Sequence, residues 1–356
     1  MSVEFWRMGA TPVPVAQIGR FARAFEDAGW DGLAVGEAHG LIPDPYAALA
    51  AAAEATTTLR VGTSVAVPLR HPLLAASAMA TLHAISGGRA SFSIGRGDGA
   101  VKVLRQKPMP VARFETYLRR LQGFLRREDV EIDGVVSSMS RLDDIDPSIG
   151  LPKPPIDVAA TGSRTIEIAV KTADGVSFSV GADVERLRNS IELVREACRS
   201  CNRDFDSLRL GSYVQVAVTN GDTSAREAIR GLVVTHARFS GFEAKPAADV
   251  AEAEHGRYQQ AVETMEAVYR SARGGVARTP GGAPGEIEFY PLEAGADELI
   301  DQFAVAGPPE YCAERLREIT ALGISRIFIG TRAVGVDLDE ANSDRVGREV
   351  LPLLRT

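Results

Sequence analysis

The feature that most constrains the fold is an alternation of two kinds of segment. Short β-rich runs stand at Val3–Met8, Leu33–Val35, Leu59–Val67, Ala90–Ile94, Ile156–Ala159, Val176–Val180 and Leu208–Val218. Segments with helical periodicity lie between them. In Val15–Ala28 the residues Ile18, Phe21, Ala22 and Phe25 recur at i, i+3, i+4 and i+7, one apolar stripe of a helix. That segment closes on Ala28-Gly29-Trp30, a glycine stop. Pro45–Thr56 and Pro72–Ile85 both open with proline, which the first helical turn tolerates. The second of them stops at Gly87-Gly88. Arg164–Thr172 and Val184–Cys201 continue the series, and Pro309–Leu322, Ile324–Gly330 and Leu338–Leu354 read as a closing helix-strand-helix unit.

Strands that alternate with helices at this spacing predict parallel pairing through crossover helices. An open doubly wound sheet and a closed (β/α)₈ TIM barrel both satisfy the pattern. The chain has 356 residues, and a barrel needs about 250 plus insertions, so length favours the barrel as a single domain over residues 1–356. The surplus falls in two stretches, about 100–140 and 241–297. The first contains Glu128–Met139, which reads as a β-hairpin turning at Asp133-Gly134. The second contains RGGVARTPGGAPG, Arg273 to Gly285, whose glycines and prolines predict a loop or a lid.

Charge and composition exclude several functions. The formal net charge is −7 and no basic stripe with interleaved aromatics occurs, which argues against nucleic-acid binding. The longest alanine-rich run, Tyr46 to Ala53, is far short of the roughly 20 apolar residues of a membrane span. The first residues, MSVEFWRMGATPVP, lack the basic and apolar regions of a signal peptide. Three cysteines fit a reducing cytoplasm better than a disulfide framework. Cys198-Arg199-Ser200-Cys201 has no second pair or nearby histidine to complete a zinc site, and its place at the end of an amphipathic helix predicts packing. The G-x-S-x-G elbow, the Walker A loop and H-E-x-x-H are all absent.

Two strand-to-helix junctions carry ligand-binding chemistry. In ISGGRASFSIGRGDG, Ile85 to Gly99, the stretch Gly95-Arg96-Gly97-Asp98-Gly99-Ala100 nearly spells the dinucleotide fingerprint. Ala100 stands where the third glycine belongs, the strand is the fourth of the series, and no helix follows at once, so a Rossmann site does not fit. The alternation of Ala90, Phe92 and Ile94 with Ser91 and Ser93 is a strand period instead. Gly95, Gly97 and Gly99 would then turn with positive φ and let backbone approach a ligand, with amides free to form an anion nest. Arg96 and Asp98 pair with each other or with neighbours in the alternative. At Ala160-Thr161-Gly162-Ser163-Arg164, helix N-terminal amides, hydroxyls and a guanidinium converge, a recipe for holding phosphate. The plainer alternative is a helix start capped by Thr161 or Ser163.

The stretch VGTSVAVPLRHPLLAASAMATLHAISGGRASFSIGRGDG, Val61 to Gly99, resembles the luciferase-like superfamily of flavin- and F420-dependent enzymes almost position by position. AFEDAGWDGLAVGE (Ala24 to Glu37), IDVAATGSRTIEIAVKTADGVSFS (Ile156 to Ser179) and FAVAGPPEYCAERLREITALGISRIFIG (Phe303 to Gly330) resemble further strands and helices of that fold, most closely its methylenetetrahydromethanopterin reductase branch. The resemblance implies a (β/α)₈ TIM barrel with long insertions at the C-terminal face, a deazaflavin or flavin ring over the barrel mouth, a small-molecule substrate and a homodimer. It implies an F420-dependent oxidoreductase that passes hydride to or from an unsaturated or imine-type carbon. The alternatives are an FMN-dependent monooxygenase and a non-catalytic flavin- or deazaflavin-binding protein of the same fold.

The resemblance also implies roles for particular residues. The family places an acidic residue and often a histidine after the second strand. Glu37 and His39 are therefore the candidates for handling the proton that accompanies hydride transfer, although Ala38 separates what the reductase branch has as an adjacent Asp-His pair. A β-bulge with a non-proline cis peptide props the back of the ring in the family, and the match puts it in Thr63-Ser64-Val65, between Ser64 and Val65. Gly95, Gly97 and Asp98, with Gly162, Ser163 and Arg164, would hold the phosphate and ribityl chain. His71, in Arg70-His71-Pro72, is expected to be structural. Arg113-Phe114-Glu115 resembles a family helix start and implies an ion pair within the helix or between subunits, with Glu115 reaching the pocket as the alternative. No metal is expected.

Overall fold

The computed structural model describes residues 3–9, 14–37, 42–97, 101, 104–149, 152–220, 300, 302–331 and 344–355. His39, Asp98, Gly99 and the segment 241–297 lie outside them. Eight parallel strands close into a barrel: β1 (Glu4–Gly9), β2 (Gly32–Val35), β3 (Arg60–Ala66), β4 (Ala90–Ile94), β7 (Ile156–Ala160), β8 (Gly175–Phe178), β9 (Arg209–Val218) and β11 (Arg326–Gly330). The ring runs in that order and closes where β11 pairs with β1. A ninth parallel strand, β10 (Ala304–Gly307), continues past the short β8 along the upper half of β9. The closed barrel, not the open sheet, is therefore the fold.

Helices α1 (Ile18–Asp27), α2 (Pro45–Ala55), α3 (Pro72–Ile85), α4 (Val111–Leu125), α5 (Ser163–Thr172), α6 (Val184–Cys201) and α7 (Pro309–Thr320) wrap the ring, each packed on the next. The α4 helix is the crossover between β4 and β7, so only part of the 100–140 stretch is insertion. The expected hairpin is β5 (Val130–Ile132) with β6 (Val135–Ser137), and Asp133 and Gly134 take positive φ of 52° and 81° at its turn. Among the described residues no helix is long and apolar enough to cross a membrane. Cys198 packs into the core at the end of α6, as its neighbours predict.

Alternation along each strand separates two cores. Phe5, Leu33, Val61, Phe92, Ile94, Val158 and Ile327 point out and join the helices in the main apolar layer. Trp6, Ala34, Tyr213 and Phe328 form a separate inner cluster, with Met8, Val65 and Ala159 packed above it. Trp6 fills the barrel because β2 offers no side chain opposite it: a Cβ on Gly32 would lie 2.4 Å from the indole. The serines of β4 also point inward, Ser93 to the Tyr213 hydroxyl and Ser91 to Arg326 (2.9 Å).

The floor beneath Trp6 is ionic. Arg326 reaches Asp157 (3.0 Å) and Glu4 (3.0 Å), and Arg209 reaches the other oxygen of Asp157 (2.5 Å). Each comes from the first or second residue of its strand, so the cluster seals the N-terminal end of the barrel. Barrel enzymes carry chemistry at the opposite end, and this end serves stability.

Candidate active site

The C-terminal ends of β2, β3, β4 and β7 stand side by side in the ring. They bring Glu37, the Thr63–Val65 segment, Gly95–Gly97 and Thr161–Arg164 to one mouth. Four stretches separated by as many as 127 positions in the sequence thus share one rim.

The β3 strand breaks register against β4 between Thr63 and Ala66, and the Ser64–Val65 peptide is cis. Both lie where the resemblance puts them. Thr63 points away from the mouth and ties β3 to β4: its hydroxyl donates to the Ser93 carbonyl (2.8 Å) and accepts from the Ser93 amide (3.1 Å). Val65 joins the top of the inner cluster. Ser64 Oγ is shielded from solvent and has no hydrogen-bond partner among the described residues.

Glu37 is buried at the end of β2. Its amide donates to the Val65 carbonyl (3.2 Å), and its Oε2 accepts from the Val67 amide (2.8 Å). Its Oε1 faces Arg70 Nε at 3.4 Å. Arg70 also pairs with Asp44, and its guanidinium lies over the Tyr46 ring, 4.7 Å from the centroid. Asp44 in turn caps α2 through the Tyr46 and Ala47 amides. Burial, with the Glu37 carboxylate as the next cause, pushes the Tyr46 and Tyr117 phenols well above their ordinary range, so both stay protonated at neutral pH. The sequence picked out Glu37 but not Arg70, Asp44 or Tyr46. Asp44-Pro45 ahead of an apolar run is a helix-start signal that would have placed the capping carboxylate at this rim.

At the end of β4, Gly97 has φ +82° as expected, and a Cβ there would lie 2.8 Å from Val101 Cγ1. Gly95 is a correction. It keeps ordinary φ because its amide continues the ladder to the Ala66 carbonyl (3.0 Å). Its lack of a side chain serves close approach instead, since a Cβ would lie 3.2 Å from Val65 Cγ1. Arg96 donates to the Met109 carbonyl (2.8 Å) and accepts the Met109 amide (3.0 Å), which pins the connection to α4.

At the end of β7 the helix cap is another correction. Gly162, not Thr161 or Ser163, is the N-cap of α5, and no side chain caps it. The Gly162 carbonyl receives the Thr165 and Ile166 amides (3.0 and 3.1 Å), and no side chain takes the Ser163 and Arg164 amides at the helix start. A Cβ on Gly162 would meet nothing within 4 Å, and Ser163 and Arg164 are exposed beside it. Elsewhere, His71 caps α3 by accepting the Leu73 amide (3.3 Å), and Glu115 pairs with Arg119 (2.7 Å) along α4. Among the described residues no three His, Cys, Asp or Glu side chains gather as a metal site.

Several kinds of group meet at this mouth. The floor supplies backbone, Val65 and an unpartnered hydroxyl, and the rim supplies a glycine turn and an uncapped helix N-terminus.

Known proteins resemble this chain in sequence and in fold. The chain is 23% identical over 345 residues to 5,10-methylenetetrahydromethanopterin reductase of Methanolobus tindarius, covering 95% of this chain and 96% of that one. It is 25% identical over 350 residues to the enzyme of that name from Archaeoglobus fulgidus, covering 94% and 95%. In fold, it matches the coenzyme F420-dependent tetrahydromethanopterin reductase of Methanopyrus kandleri at a TM-score of 0.71, with 20% identity and 99% of each chain covered. An F420-dependent secondary alcohol dehydrogenase also matches at 0.71, with 16% identity over all of both chains. The monooxygenase RslO1 of Streptomyces bottropensis follows at 0.63, with 18% identity, covering 98% and 99%. The family model described as luciferase-like monooxygenase matches residues 1–326, and the chain belongs to that family.

Proposed function

We propose that this protein is an F420-dependent oxidoreductase that transfers hydride between the deazaflavin and an unsaturated or imine-type carbon of a small molecule. The observation that carries this is the uncapped N-terminus of α5, standing next to the Gly95–Gly97 turn at a mouth floored by the β3 bulge. The fold likeness to two F420 enzymes, higher than to the monooxygenase, supports the deazaflavin over FMN.

F420, when bound, supplies the carbon that gives or takes hydride. The protein's part is binding, orientation and proton handling. Gly162, Ser163 and Arg164, with Gly97 and Asp98, would hold the phosphate through outward amides, a hydroxyl and a cation. Ser64 and Val65 would support the ring, with Gly95 clearing space beneath, and Thr63 fixes the strand that carries them. Proton handling is assigned to the β2–α2 junction. His39 suits it because an imidazole titrates near neutrality. Glu37, two positions earlier, has both carboxylate oxygens engaged by donors.

Titration of the protein with F420 and with FMN, followed by a substrate screen at the deazaflavin absorbance, tests the proposal. Micromolar F420 binding with substrate-dependent bleaching is the expected result. Tight FMN binding with oxygen consumption would instead make it a monooxygenase.

A further inference from the structure

Glu37 sits where an acid catalyst is expected, and its carboxylate meets a backbone amide and a guanidinium. Its side chain has 0% exposure, and both oxygens face donors. The residue grips the outgoing limb of the β3 bulge at two points. The Glu37 amide donates to Val65 O, and the Glu37 carboxylate accepts from Val67 N. Val65 is one of the two residues at the bulge, and Val67 is the first residue past β3. The Val67 amide lies beyond the strand ladder, so the carboxylate supplies an acceptor that a neighbouring strand does not.

The carboxylate is itself braced. Arg70 stands between Glu37 and Asp44, and Asp44 is locked on the first turn of α2. The guanidinium rests on the Tyr46 ring. Among the described residues, those facing Glu37 include Arg70 from the β3–α3 connection, Tyr46 from α2 and Tyr117 from α4, with Asp44 behind Arg70. One carboxylate thus ties the end of β2 to the bulge, and one guanidinium ties that carboxylate to a helix start.

We propose that Glu37 is a positioning residue whose carboxylate, braced by Arg70, fixes the bulge backbone that supports the cofactor ring, and that it is not a proton donor. The identity of the ring rests on the function proposed above; the clamp itself does not.

The test needs no substrate. In the ligand-free protein, amide hydrogen exchange at Val67 is compared for wild type, Glu37→Ala and Glu37→Gln, with thermal midpoints measured alongside. F420 affinity is then titrated for each. Glu37→Ala is expected to speed Val67 exchange at least tenfold and to weaken F420 binding by about tenfold, because a misplaced support loses orientation. Glu37→Gln keeps an oxygen for Val67 and is expected to retain most of the protection and to bind within about threefold of wild type. Arg70→Met keeps the stem over Tyr46 and removes the brace, so it is expected to weaken F420 binding several-fold, and it serves if Glu37→Ala fails to fold. The clamp is refuted if Glu37→Ala leaves both Val67 exchange and F420 affinity unchanged, or if Glu37→Gln is as damaging as Glu37→Ala at equal thermal stability. Failure of wild type to bind F420 overturns the proposed function, while Val67 exchange still decides the clamp.

Discussion

Asp157→Asn separates the two ends of the barrel. Asp157 is 3% exposed and bridges Arg326, 5% exposed, and Arg209, 28% exposed. The amide is isosteric but cannot balance two guanidinium charges. Arg209 can turn to water. Arg326 cannot, and it keeps Glu4 (24% exposed) as its remaining carboxylate. Breaking a buried ion pair by removing one partner costs about 3–5 kcal/mol, and the surviving Glu4 contact puts this case near the lower end, about 3 kcal/mol. In a protein of this size that lowers the thermal midpoint by roughly 4 °C. Urea unfolding of Asp157→Asn, Arg326→Met and the double variant gives the coupling directly. The double variant is expected to be less destabilised than the sum of the singles, since no buried charge is left unpaired. F420 affinity of the folded Asp157→Asn protein should match wild type, because the floor lies at the far end from the mouth. A loss under about 1 kcal/mol, or strict additivity, would refute the view that this cluster is a sealed ionic floor.

Three further outcomes follow from the same geometry. Partial burial opposes the Glu26 charge, but the amides of Thr58, Leu59 and Thr57 and the Thr58 hydroxyl outweigh it and hold its pKa at about 2. The folded value lies below the ordinary 4.5, so its stabilisation is complete above that value and is lost as pH falls toward 2. Glu26→Gln should flatten that part of the acid-unfolding curve, and an unchanged curve would contradict the assignment. Gly97→Ala forces a side chain into positive φ and against Val101, and should cost about 2–4 kcal/mol by urea unfolding. Arg164→Ala removes the cation beside the uncapped helix start and should weaken F420 binding about tenfold with a shallower salt dependence, while leaving the thermal midpoint within about 1 °C.

The barrel was largely legible because its signals are local. Periodicity, proline starts and glycine stops mark all eight ring strands to within two residues. The β10 strand escaped notice: AVAG is too short and small to stand out, and it exists because β9 outruns β8 and needs a partner. Only the start of Val111–Leu125 is legible, at Arg113-Phe114-Glu115, since its buried face, Phe114, Leu118, Leu121 and Leu125, alternates with arginines and a glycine that weaken the pattern. At the site, the glycine turn and helix start were readable as strand-to-helix junctions. The state of Glu37 was not, because its partners Val67 and Arg70 lie some 30 positions away and meet it only when β2 and β3 pair. The cap of α5 was misplaced for a similar reason. Thr161 and Ser163 both have the chemistry of a cap, and only the backbone path selects Gly162, the residue with no side chain to close the first turn.

The most direct measurement is a binding titration of the purified protein with F420 and FMN in parallel, repeated on Arg164→Ala. Binding of F420 at least tenfold tighter than FMN, and weakened by Arg164→Ala, is the predicted result. Preference for FMN, or F420 binding indifferent to Arg164, would contradict a deazaflavin held by its phosphate at the α5 N-terminus.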